Sequence, residues 1–177
     1  MKKRLIVAAL SVVVVALLAL NIRLAFAHQW WAWHFHSPIN ILVSPWNSHF
    51  QQHIAAAADW DSHVSDLKLR VNFKQHTDVS MLDGNYGATG WWGLASIEGY
   101  TYDWWHWWCW CLITHAHATF NNYYGGSAAD IQGVQCQEVG HTFGLDHSNT
   151  GDCMGKGYFN NINVTGPHNW ADINAMY

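Results

Sequence analysis

The chain has no apolar run long enough to cross a bilayer comfortably, no internal repeat and little charge, with positive charge the scarcest. Its longest apolar run, Leu5–Leu20, is interrupted by Ser11 and falls short of the roughly 18–20 residues of a spanning helix. The run follows the basic start Met1-Lys2-Lys3-Arg4 and precedes the small-x-small site Ala25-Phe26-Ala27. That order reads as a secretory signal peptide cut after Ala27. The competing reading is a retained anchor, in which Arg23 would sit near the membrane core of any longer span. The expectation is therefore a signal peptide over residues 1–27 and one secreted, extracellular domain over residues 28–177, with no stable membrane span after cleavage. Cleavage removes Lys2, Lys3, Arg4 and Arg23, leaving four basic residues against twelve acidic ones. Such a balance argues against nucleic acid as a partner. Half of the residues are apolar, which argues against disorder. A domain of about 150 residues can bury its own core, and it is expected to act as a monomer.

Cysteine is also sparse: Cys109, Cys111, Cys136 and Cys153. Export to an oxidising compartment makes pairing the default, and four cysteines allow about three connectivities. On a strand Cys109 and Cys111 would share a face, so a bond between them would be strained.

Hydrophobic periodicity outlines an α+β domain. Residues 28–45 read as an irregular arm leading into a strand near Ile39–Val43. Residues 48–66 carry Phe50, Ile54, Ala57, Ala58 and Val64 at mostly helical spacing, and Ala55–Ala58 is a strong helix former. Leu67-Lys68-Leu69-Arg70-Val71-Asn72-Phe73 alternates as a half-buried strand does. Residues 83–93, with four glycines, read as a loop. A short strand is expected over Leu94–Ile97, one or two strands over residues 104–119, and a turn over residues 121–126. A helix over residues 128–144 would be N-capped by Ser127. A last short helix would begin near Asn169, with Pro167 just before its first turn.

The expected helix over residues 128–144 carries the chemistry. Gln137-Glu138-Val139-Gly140-His141-Thr142-Phe143-Gly144-Leu145-Asp146-His147 resembles the metzincin zinc-peptidase signature H-E-x-x-H-x-x-G-x-x-H at every fixed position but the first, where Gln137 stands for histidine. On a helix Gln137 and His141 share a face, and Glu138 lies about 100° round from Gln137. The resemblance implies a zinc ion held by His141, His147 and the position of Gln137, with Glu138 as general base. It also implies that Gly144 ends the helix so that His147 can turn back.

The resemblance extends, with less specific motifs, over most of the mature chain. Cys153-Met154-Gly155 is similar to the methionine turn beneath the metal. Residues 90–97 and 113–124 are similar to the strand-entry segment and to the strand and turn before the active-site helix of secreted metzincin-like domains, and residues 171–177 to the closing helix of matrixins. If the signature and the Met154 turn lie together, Cys136–Cys153 is the natural bond. The implied fold is metzincin-like (zincin): a twisted, mostly parallel sheet with a backing helix, an active-site helix and a small irregular C-terminal part. The implied activity is zinc-dependent endopeptidase, acting on an extended protein or peptide substrate along a sheet edge.

An amide oxygen is a weaker zinc ligand than imidazole. Gln137 could keep a weaker site, Asp146, His115 or His117 could supply the third ligand, or the site could be empty. In the last case the domain would be a non-catalytic binding module. Its surface for that role would be the run Trp104-Trp105-His106-Trp107-Trp108-Cys109-Trp110-Cys111. That run also reads as sheet packing, or, with His115 and His117, as a structural metal site.

Overall fold

The computed structural model describes residues 33–35, 38–71, 77–103, 110–149, 151–156 and 162–177. The signal-peptide reading, residues 104–109 of the tryptophan-rich run and the pairing of Cys109 fall outside them. The elements are β1 (Trp33–His34), β2 (Ile39–Val43), α1 (Phe50–His63), β3 (Leu67–Arg70), β4 (Val79–Gly84), β5 (Gly93–Asp103), β6 (Trp110–Asn121), α2 (Ala128–Thr142) and α3 (Pro167–Met176).

Six strands form one sheet in the order β1-β6-β4-β2-β3, with β5 on β6. Every pairing is parallel except β5 on β6, which is antiparallel. The expected α+β class and mostly parallel sheet are both present. Ile41 pairs with Val79 and Val79 with Ala116, while Val43 pairs with Met81 and Met81 with Ala118. These side chains therefore lie in two rows across one face, and all are fully buried. Ala56, Ala57 and Trp60 of α1, with Cys136 and Val139 of α2, complete the core.

Several elements differ from the expectation. Helix α1 starts at Phe50 and ends at His63; it fully buries His53, Ala56, Ala57 and Trp60, while Phe50 and Ile54 are half-buried against the core. Tertiary partners decide this. Trp60 Nε1 donates to the Cys136 carbonyl at 3.0 Å, and its ring meets the edge of Phe143. The amides of Ser48 and His49 are capped by the Asp83 carboxylate of β4, at 3.1 and 2.8 Å. Strand β3 stops at Arg70, leaving Val71 exposed. Strand β5 is 11 residues long rather than four. Register shifts about Gly99 reset its alternation, so the sequence pattern breaks where the strand does not. The N-terminal arm contributes β1, and α3 begins two residues early, with Pro167 inside its first turn.

The chain after Gly144 is irregular up to α3 among the described residues. It is tied down by the Cys136–Cys153 disulfide, by a Ser148–Gly155 bridge, and by Asp59, which accepts from both Thr165 N and Thr165 Oγ1 at 2.6 Å. No helix among the described residues is long and apolar enough to cross a membrane.

Candidate metal centre

Helix α2 is built to start and stop where it does. Ser127 Oγ accepts from Asp130 N, and the Asp130 carboxylate accepts from Ser127 N, a complete capping box. At the other end Gly144 has φ 97°, which glycine adopts without the steric cost a side chain brings. The chain then turns back, and Leu145 and His147 come to face the last turn of the helix. Met154, fully buried, lies against Gly140.

The turn brings two imidazoles together. His141 Nε2 and His147 Nε2 are 3.2 Å apart, with the rings nearly perpendicular. His141 Nδ1 lies 2.8 Å from the Leu145 carbonyl. A carbonyl only accepts, so Nδ1 carries the proton and Nε2 keeps its lone pair. Burial holds the His141 pKa below its usual value, and the His147 ring adds to this; the Leu145 carbonyl and Asp146 oppose it. His141 is therefore neutral at pH 7, the state a metal ligand requires.

One turn earlier, Gln137 Nε2 donates to the Gly155 carbonyl at 3.0 Å. Because the partner is a carbonyl, the atom facing it must be the amide nitrogen, which leaves Oε1 as the remaining donor atom for a metal. Glu138 is buried, and burial pushes its pKa up to about 8, against the lowering effect of a hydrogen bond from the Ala95 backbone amide of β5.

The other third-ligand candidates do not join this pair. Asp146 Oδ1 accepts from His147 N at 2.7 Å. His115 and His117, on β6, turn to each other with Nε2 atoms 3.0 Å apart, and His115 Nδ1 donates to the Thr77 carbonyl. Among the described residues no three of His, Cys, Asp and Glu come together as a metal site. Gln137 belongs to none of those residue types; it lies one turn before His141 on the same helix face. The groups that sequence reasoning missed are the carbonyls of Leu145 and Gly155 and the amide of Ala95. Every residue carries such groups, and no side-chain pattern announces them.

No protein-family model matches the chain, and no curated protein does.

Proposed function

We propose that the chain is a secreted zinc-dependent endopeptidase of metzincin type, with Glu138 as general base and zinc held by His141, His147 and the amide oxygen of Gln137. The observation that carries the reading is the convergence of His141 Nε2 and His147 Nε2 at 3.2 Å, with His141 oriented from behind by a backbone carbonyl. Two nitrogens each about 2.0–2.1 Å from a tetrahedral zinc lie roughly 3.3–3.4 Å apart, a spacing close to that of the two imidazole nitrogens. Outer hydrogen bonds of this kind are the usual means of orienting metal ligands. Zinc held there supplies Lewis acidity towards a peptide carbonyl and makes water a better nucleophile. Glu138 takes the proton of the attacking water and delivers it to the departing amine. Its burial suits a carboxylate whose ionised form is matched to a cation. Met154 packs beneath the site, and the Cys136–Cys153 bond joins the signature helix to that turn. Strand β5, the antiparallel edge, is where an extended peptide would align.

The test is zinc content per chain together with casein cleavage, with and without a chelator, for the mature domain and for Glu138→Gln. The expected result is bound zinc, chelator-sensitive cleavage, and loss of cleavage but not of zinc in Glu138→Gln. No zinc and no cleavage would leave the non-catalytic binding module in its place.

A further inference from the structure

Where β5 enters the sheet it passes unusually close to α2. A Cβ on Gly93 would lie 2.5 Å from Glu138 Oε1, 2.6 Å from Glu138 Cγ and 2.5 Å from Val134 Cγ1. Those atoms belong to two successive turns of α2, and Val134 Cγ1 and Glu138 Cγ lie close to the helix backbone rather than at the far ends of long side chains. The strand cannot back away either. Gly93, Leu94 and Ala95 are paired with Phe120, Thr119 and Ala118 on β6. The preceding loop is held by the fully buried Asn121 amide, which donates to Gly87 O at 3.0 Å, Thr89 Oγ1 at 2.9 Å and Trp91 O at 3.3 Å, and accepts from Tyr86 N at 3.0 Å. The Asn121 backbone amide donates to Trp92 O at 2.8 Å. Two residues beyond Gly93, the Ala95 backbone amide lies near enough to Glu138 to oppose the rise in its pKa, and the Trp92–Asn121 hydrogen bond sets the alternation of β5 so that this amide faces away from β6.

We propose that Gly93 is a positioning residue for Glu138: lacking a side chain, it lets β5 lie against α2, so that the Ala95 N–H holds the carboxylate in one orientation. This rests on the reading of Glu138 as the general base. A base must reach the proton it abstracts within about 2.6–3.2 Å, and a misplacement of about 1 Å costs on the order of 10²-fold in rate. The edge that would receive substrate thus also orients the base, and Gly93 sets the spacing of both.

Two measurements test this. The first is hydrogen exchange of the Ala95 amide by NMR, in wild type and in Glu138→Ala. Exchange at Ala95 is expected to quicken at least about tenfold in the variant, with the β6 amides unchanged. Equal exchange would overturn the contact. The second is the kinetics of Gly93→Ala. A fall in kcat of about 10–100-fold is expected, with KM and zinc affinity within about twofold of wild type. Lost zinc affinity, or a fall carried by KM with kcat intact, would make Gly93 merely structural and overturn its role. If Gly93→Ala does not fold, the exchange comparison decides. A wild type that cleaves no peptide overturns the general-base reading itself, and the role with it. A cleaving wild type with unchanged Ala95 exchange overturns the positioning alone.

Discussion

Glu138 should make the metal-free domain lose stability as pH rises. The carboxyl is buried, and burial raises its pKa from an ordinary 4.5 to about 8. Between those values the folded chain holds a proton that the unfolded chain has released, so unfolding releases it. The resulting stabilisation is present in full below pH 4.5 and is lost as pH passes 8. At about 1.4 kcal/mol per pH unit the whole window is worth about 5 kcal/mol, an upper figure for so buried a group. A domain of this size has about 5–15 kcal/mol in total, so the effect is large enough to see. His53 slopes the other way: burial lowers its pKa to about 4, and the stability this contributes is present above 6.5 and lost as pH falls through 4. Comparing wild type with Glu138→Gln cancels His53 and isolates the carboxyl. The assay is urea unfolding in chelator, with the disulfide intact, from pH 4 to 9. Glu138→Gln should match wild type near pH 4 and exceed it by several kcal/mol at pH 8–9. Curves that stay parallel across the range would refute the buried-carboxyl argument.

Two further outcomes are expected. Gln137→His should tighten zinc by about 100-fold or more in competition with a chromophoric chelator, because imidazole is the stronger ligand, while Gln137→Ala should weaken it; an alanine variant equal to wild type would remove Gln137 from the ligand set. Replacing Cys136 and Cys153 together by serine opens a loop closed across a sequence separation of 17, which should cost about 3 kcal/mol in the chain-entropy model; an unchanged urea midpoint would count against it.

The parts of the fold that were legible in the sequence are those governed by local rules. Ile39–Val43 alternates, and its odd positions are buried. Ser127, Asp130 and Gly144 mark the ends of α2 through a capping box and a positive φ. The misses come from contacts distant in sequence. His53 and Trp60 are polar-tipped residues that a periodicity reading sets aside, yet both are fully buried, His53 with its Nε2 3.8 Å from the Asp83 carboxylate and Trp60 donating to Cys136 O. The length of β5 was hidden by the irregularity at Gly99. At the candidate site the side chains were named through the resemblance of residues 137–147 to a known signature, whereas the carbonyls and amide near them become visible only when β5 and the Met154 turn are folded onto α2.

The same division between side chains and backbone partners bears on Gln137. His141 presents a donor nitrogen to the Leu145 carbonyl and keeps a lone pair on its other nitrogen. Gln137 does the same with different atoms: its amide nitrogen is spent on the Gly155 carbonyl, and its oxygen keeps the lone pairs. An amide can therefore replace an imidazole here without leaving a backbone carbonyl unpaired. What changes is ligand strength, because a neutral oxygen holds zinc less firmly than an imidazole nitrogen. On the proposed zinc reading, glutamine in place of histidine would raise the free-zinc concentration at which the site fills and leave the scaffold as it is.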